Sequence, residues 1–531
     1  MKTYTDIRTL EFLLFEVLGM EEILKLPRFQ DHDTESVTML INAVKDFSDK
    51  ELYPYFREMD EHPAHYEDGE IIVHPQVKKC IRESGAMGLI AAPFDYDQGG
   101  MQLPGTLVHA SAWIQECANN HLPNYHGLTQ AAANLISHFG NTHLKETYFP
   151  RMLTGEWTGT MCLTEPQAGS SLSDITTTAI PENDHYLIQG QKIFISGGDF
   201  KGAENVVHLL LARIKGAPPG VKGISLFVVP KYRPDQGTEM TFNDVNTIGD
   251  FQKMGQKGYC TTHLSFGDEG DCRGWLVGAP HQGLKYMFLM MNEARIAVGR
   301  GAAAITMAAY QASLAYAKER PQGRLLGDTG KKNPEEQQTL IINHPDVKRM
   351  LLMQKAVAEG ALQLVLLSAK FQDLSVAHPE ASEREKYKDL LDLLTPVTKT
   401  WPAEKGMKAV SNGLQVFGGY GYCTDFILQQ YFRDIRIFSI YEGTTGIQSL
   451  DLLGRKIGMK DGKVVQALFE LIDTTTARAS EMETMNAYSL QLKEAVATAK
   501  EVVKHLTSFA TKGEYELFTT PPCLWSFSAP V

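Results

Sequence analysis

The chain has few of the features that would mark a secreted, metal-binding or nucleotide-sheet protein. Seven cysteines (Cys80, Cys117, Cys162, Cys260, Cys272, Cys423 and Cys523) are scattered over 531 residues with no C-x-x-C pair. Neither a zinc site nor a disulfide framework is therefore expected, no metal is called for, and reduced thiols in the cytoplasm are the simpler reading. Positive charge is short as well: 51 Lys and Arg against 63 Asp and Glu leave a formal net charge of -12. That balance speaks against a broadly basic surface for nucleic acid, although a local basic patch stays open. No stretch approaches the roughly 18 consecutive apolar residues of a spanning helix. Asp6, Arg8, Glu11 and Glu16 interrupt the first apolar residues, so neither a secretory signal nor a transit peptide is expected. No G-x-G-x-x-G follows a strand and opens a helix, and no P-loop occurs, which removes the usual dinucleotide-sheet and phosphate-loop readings.

What is present is ordinary for a large globular protein, 43% hydrophobic and 21% charged with five Trp, and long enough for several domains. Residues 1–157 read as helical. Val37, Leu40, Ile41, Val44 and Phe47 recur at helical spacing behind Asp31 to Glu35, and Pro54 is expected to close that helix. Further helices are expected at about 75–87, 105–118, 128–139 and 142–153. From 158 to 278 the period changes to short β-branched or aromatic runs separated by Gly, Pro, Asn and Asp, among them 158–163, 186–189, 192–195, 205–214, 223–229 and 261–266. Such spacing predicts a small barrel or sandwich and not βαβ units. From 279 to 457 helices return at about 287–318, 344–372, 382–416 and 434–457, with Pro396 and Pro402 expected to break the third in two. Residues 458–531 read as one more helical region, about 463–509, and an irregular tail from Phe518. The fold class is thus α+β and multidomain: a helical N-terminal domain, a central β-barrel or sandwich, a C-terminal helical bundle and a helical extension.

Three stretches carry candidate chemistry. Tyr441-Glu442-Gly443-Thr444-Thr445-Gly446 is a polar interruption between the apolar segments 435–440 and 447–453. A carboxylate set among packed helices is desolvated, which raises its pKa toward what a general base needs near neutrality. A solvated residue in a helix–helix turn is the alternative reading. Gln415-Val416-Phe417-Gly418-Gly419-Tyr420-Gly421 can bring free main-chain N–H groups close to a phosphate or nucleotide edge, or can simply be a glycine C-cap. Met161 to Ser171 begins as a strand and breaks into small hydroxyl and glycine residues, suited to lining a flat heteroaromatic ring, or equally to a surface turn.

Together with Phe194-Ile195-Ser196 and Glu319-Arg320-Pro321-Gln322-Gly323, these stretches stand in the order found in acyl-CoA dehydrogenases, which the chain resembles from about 35 to 457. Within that family it looks most like the long bacterial branch that includes 3-methylmercaptopropionyl-CoA dehydrogenase. The resemblance implies FAD between the central and C-terminal domains and across a subunit contact, in a homodimer or homotetramer. It implies that Met161, Leu163, Thr164 and Ser170 line the flavin, with Phe194, Ile195 and Ser196 beside the ring. Arg320, Gln322 and His344, with Gln415, Val416, Phe417, Gly418 and Gly419, would reach the FAD of the neighbouring subunit, and Thr444 would contact the nucleotide. Ser170, Asn292, Arg295 and Gly443 would border the acyl-CoA cleft, Arg295 being otherwise a structural ion pair on a buried helix. Ser171 stands where many members have Asp, and Ala294 where some supply their catalytic Glu, which leaves Glu442 as the base.

The activity so implied is α,β-dehydrogenation of an acyl-CoA thioester to the trans-2-enoyl-CoA. Glu442 takes the α-proton, the β-hydrogen leaves as hydride to the flavin, and electron-transfer flavoprotein accepts the electrons. Two competing readings are an oxidase using oxygen and a DNA-associated relative with little dehydrogenase activity. The second relies on a basic C-terminal surface, whereas residues 458–531 mix Lys with Glu. A nitroalkane oxidase-like activity, which usually employs Asp as base, is disfavoured by the Glu at 442.

Overall fold

The computed structural model describes residues 4–234, 240–327 and 330–512; the tail expected from Phe518 and Cys523 lie outside them. The N-terminal region holds α1 (Ile7–Phe12), α2 (Met20–Leu24), α3 (Thr34–Phe47), α4 (Phe56–Glu61), the hairpin β1 (His65–Glu67) and β2 (Glu70–Ile72), then α5 (Gln76–Ala86), α6 (Gly105–Ala118), α7 (Pro123–Phe139) and α8 (Thr142–Leu153). A capping box opens α3: Asp33 accepts from the Ser36 N–H while the Ser36 hydroxyl accepts from the Asp33 N–H. Pro54 does not end this helical path, contrary to expectation. A π-turn over Ser48–Leu52 and a 3-10 turn over Tyr53–Tyr55 lead into α4, and at the second position of that short turn proline needs no hydrogen-bonded N–H.

The central domain is built of β3 (Trp157–Cys162), β4 (Thr178–Glu182), β5 (His185–Ser196), β6 (Asn205–Ile214), β7 (Ile224–Pro230), β8 (Tyr232–Pro234), β9 (Met240–Phe242), β10 (Val245–Asp250), β11 (Thr261–Phe266) and β12 (Arg273–Leu276). β5 pairs with β12, β12 with β7, β7 with β6, and β4 joins β6 back to β5. The circuit is closed, so a barrel and not an open sandwich forms, with β11 and β10 added beyond β5 and β3 beside β6. The runs expected at 186–189 and 192–195 are one strand, β5, which runs through Gly190, where φ is +153°. A side chain at Gly190 would strike Thr177, its Cβ lying 2.5 Å from the hydroxyl oxygen.

The C-terminal region holds α9 (Gly283–Glu319), α10 (Pro345–Ala377), α11 (Ala381–Phe417), α12 (Leu428–Ile435), α13 (Thr445–Asp451), α14 (Lys463–Ser480) and α15 (Asn486–Lys512). α9, α10 and α11 pack against one another, and α6 lies against α9 and α10. α10 is apolar and long enough to cross a membrane by composition; its place among these helices accounts for that composition. The fourth member of the bundle is broken: α12 and a 3-10 turn over Arg436–Ser439 lead into residues 440–444, after which α13 continues.

α11 is continuous, although two prolines were expected to break it. Pro402 cannot donate to the Thr398 carbonyl one turn earlier. That carbonyl instead faces Gly299 of α9 so closely that a Cβ there would lie 2.0 Å from its oxygen. Tertiary packing therefore covers the gap that the proline opens. The region 463–509 departs the other way, forming the separate helices α14 and α15 with a turn at Glu481–Met485 between them.

Candidate active site

Glu442 sits in the break between α12 and α13 with φ at +52°, followed by Gly443 at +86°. A left-handed non-glycine residue costs energy and persists only where its surroundings fix it. Here several bonds do so. Gln448 Nε2 donates to the Glu442 carbonyl at 2.9 Å, and Lys399 Nζ of α11 donates to the Gly443 carbonyl at 2.8 Å. The Thr444 hydroxyl caps α13 by accepting from the Ile447 N–H, and the Thr445 hydroxyl donates to Glu404 at 2.5 Å. Just upstream, Asp434 of α12 pairs with His121 Nε2 at 3.1 Å and accepts from Asn120 Nδ2 and the Gln256 N–H. That buried carboxylate ties the N-terminal helices, the barrel and the bundle together one short helical segment before the turn.

The Glu442 side chain is half-buried. Burial raises its pKa above the ordinary carboxylate value, while the positive charges of Arg295 and Lys399 oppose that rise. Arg295, on α9, donates to Asp451 Oδ2 at 3.0 Å, the Arg295 side chain being buried and that of Asp451 nearly so. The ion-pair alternative for Arg295 is therefore what forms, and its charge still reaches Glu442. Asn292 stands one turn earlier, 3.5 Å from the same guanidinium nitrogen. Gly443 is packed so that a Cβ would lie 2.6 Å from Gln448 Nε2.

The residues expected beside the ring come together at the barrel. The Ile193 N–H of β5 donates to the Thr164 carbonyl at 2.9 Å, which lays Phe194–Ser196 alongside the end of β3 with Met161 and Leu163. Beneath them Lys192 and Glu165 form an ion pair of 2.8 Å with almost no exposed surface. Glu165 also accepts from the N–H and hydroxyl of both Thr176 and Thr177, and its pKa falls to about 2: burial raises it, but Lys192 and these donors outweigh burial. Phe194 is 56% exposed at φ +57° and meets Phe251 with ring centroids 4.3 Å apart. A large aromatic held outward in a costly conformation is what a stacking surface for a flat ring requires. Ile195 is buried, Ser196 half-buried and Ser170 exposed, while the Ser171 hydroxyl donates to Asp174 at 2.5 Å.

A second cluster forms at the other end of the bundle. His344 Nε2 lies 2.7 Å from the Gln322 carbonyl, and the Arg320 guanidinium sits over the Tyr420 ring, 5.3 Å from its centroid. Gln415, Gly418 and Gly419 are exposed, whereas Val416 and Phe417 are buried. No atom lies within 4 Å of a Cβ built on either glycine, so their main chain is open to a ligand. From Lys399, beneath Glu442, to Gln415 the helix rises about 24 Å. The two clusters of one chain therefore face different places.

Several residues of the site were not anticipated from sequence. Lys399 is fully buried, and burial lowers its pKa to about 8. Glu293 of α9, next to Ala294, accepts from Asn134 Nδ2 of α7 at 2.7 Å, and burial raises its pKa to about 7. Arg300 grips Glu116 through Nε and Nη2 and approaches His109 with Nη1 at 2.8 Å. Among the described residues no group of three or more His, Cys, Asp or Glu is placed to hold a metal ion.

Comparison with known proteins agrees with this architecture. Family models for the acyl-CoA dehydrogenase N-terminal, middle and C-terminal domains match residues 34–156, 160–268 and 331–457. A 3-methylmercaptopropionyl-CoA dehydrogenase of Ruegeria pomeroyi is 34% identical over 481 residues, covering 90% of this chain and 80% of that protein. Among solved structures, Caenorhabditis elegans ACDH-11 in complex with C11-CoA superposes with a TM-score of 0.73 at 21% identity, covering 95% of this chain and 81% of that one. A chain in the structure of the electron transferring flavoprotein of Acidaminococcus fermentans superposes with a TM-score of 0.64 at 25% identity, over 79% of this chain and 97% of its own. With all three domain models matched in order and a third of its residues shared with a relative along most of both lengths, the chain belongs to the acyl-CoA dehydrogenase family.

Proposed function

We propose that this protein is an FAD-dependent acyl-CoA dehydrogenase that converts an acyl-CoA thioester to its trans-2-enoyl-CoA, with Glu442 as the general base. The observation that carries this reading is the half-buried Glu442 on its left-handed turn, its neutral form favoured by burial and its ionised form by Arg295 and Lys399. That balance suits a group that must be ionised before the reaction and accept a proton during it. The proton moves from the substrate α-carbon to a Glu442 carboxylate oxygen. The main-chain N–H of Glu442 serves the thioester oxygen as charge builds there.

The residues present fit a flavin. The exposed Phe194 and the barrel edge from Met161 to Thr164 suit the ring, with Ser170 at its margin. The open Gly418–Gly419 main chain with Arg320, Gln322 and His344 suits a nucleotide from a neighbouring subunit. FAD, when bound, supplies the acceptor for the β-hydride. Exposed Leu325, Leu326, Leu352 and Met353 near the α9–α10 connection support a subunit contact and hence a homodimer or homotetramer. Electron-transfer flavoprotein is the proposed acceptor, supported by the shared fold in the Acidaminococcus structure. The described cysteines are all free, which suits the cytoplasm.

The test is turnover of a panel of acyl-CoAs with a ferrocenium acceptor, following enoyl-CoA by mass. Formation of a product two mass units lighter from at least one thioester is expected; no such product from any of them contradicts the reading.

A further inference from the structure

The turn that carries Glu442 rests on a buried ammonium. Lys399 has no exposed surface, and the bond it makes is to the carbonyl of Gly443, the residue after Glu442. A charge without water and without a bonded carboxylate is costly to keep, so its retention in a bundle core calls for a role. Groups from each neighbouring element face this region. α9 contributes Arg295, already committed to Asp451. α11 contributes Glu404, which holds the Thr445 hydroxyl, as well as Lys399 itself. The barrel contributes the Tyr259 phenol, and Tyr441 stands within the fields of Glu116 and Arg300. Of the cations, Lys399 is the one bonded to the turn itself. Its hydrogen bond fixes the peptide between Gly443 and Thr444, immediately after two consecutive left-handed residues, and its charge favours an ionised Glu442.

We propose that Lys399 is a positioning residue for the dehydrogenation: it pins the turn through the Gly443 carbonyl and sets its charge, together with that of Arg295, beside the Glu442 carboxylate. This rests on Glu442 being the base. Lys399 is fully buried and its bond goes to the main chain of the turn, so its mark is expected on the pH dependence of the reaction and not on the identity of the product.

The experiment compares wild type, Lys399→Gln and Lys399→Arg as full-length holoenzymes. The rate of anaerobic flavin reduction by one reactive acyl-CoA is measured from pH 5 to 9. In the wild type the acidic limb reports protonation of Glu442. Lys399→Gln keeps a donor for the Gly443 carbonyl and loses the charge, so its acidic limb moves up by about one pH unit or more, a tenfold change in the ionised fraction. Lys399→Arg keeps the charge and is expected to retain the wild-type limb. An unmoved limb in Lys399→Gln, or an equal upward shift in both variants, overturns the proposal. Should Lys399→Gln not retain flavin, Lys399→Arg decides: a wild-type limb supports the role and a shifted one overturns it. A wild type that no thioester reduces instead contradicts the base assignment and the function on which the proposal stands.

Discussion

Arg295 of α9 and Asp451 of α13 are joined at 3.0 Å across a buried boundary, so the cation that faces Glu442 is held by the helix that Glu442 introduces. Base, turn and cation thereby form one mechanical unit. Removing the charge from one partner strands the other without water. Asp451→Asn is expected to lower stability by about 3–5 kcal/mol, the usual cost of breaking a buried pair. Urea unfolding of the holoenzyme followed by circular dichroism measures it, and a loss under 1 kcal/mol would show that solvent reaches the pair.

Gly299 and Thr398 make a comparable contact between α9 and α11. A methyl at 299 would stand 2.0 Å from the Thr398 carbonyl oxygen, so Gly299→Ala must push the helices apart. A destabilisation of about 1–3 kcal/mol is expected from overpacking, read as a lower thermal midpoint. An unchanged midpoint would mean that the helices separate freely.

Lys192 and Glu165 support the loop next to the exposed Phe194. The folded-state pKa of Glu165 is depressed to about 2. Its contribution is therefore fully present above the ordinary unfolded value, near 4.5, and is lost as pH falls toward 2. Glu165→Gln is expected to be less stable than wild type at pH 7, to release flavin more readily, and to converge on wild type only as pH approaches about 2. Equal flavin retention at pH 7 would separate this pair from the loop's function.

Glu293 behaves in the opposite sense. Its folded pKa is raised to about 7 by burial, so the folded state keeps a proton that the unfolded chain releases. Stability from this group is greatest below about 4.5 and declines as pH rises to about 7. Glu293→Gln removes that decline. Thermal midpoints measured from pH 5 to 8 are expected to fall less steeply in the variant, and parallel slopes would contradict the burial.

Local punctuation made much of this fold legible. Pro104 stands directly before α6, which is found where a helix was expected at 105–118, and the valine- and leucine-rich run of β6 announces itself. Tertiary effects account for the misses. Pro402 is tolerated because a residue about a hundred positions away, Gly299, leaves room for the Thr398 carbonyl. β10 and β12 are short and rich in Gly, Asn, Asp or Arg, and gain strand geometry from their neighbours β11, β5 and β7. At the site, Glu442 stood out because a polar turn interrupts two apolar segments. Lys399 did not, since nothing near it in the chain reveals that an ammonium on that helix is cut off from water.

In the proposed reaction Glu442 removes the α-proton. Glu442→Gln preserves the shape of the turn and the Gln448 and Lys399 bonds, which go to main-chain carbonyls. Anaerobic mixing of each holoenzyme with a reactive acyl-CoA, followed at the flavin absorbance near 450 nm, is the direct measurement. Rapid bleaching is expected in wild type and a rate lower by about 10²–10⁴-fold in Glu442→Gln; bleaching at the wild-type rate in the variant would contradict the role of Glu442 as base.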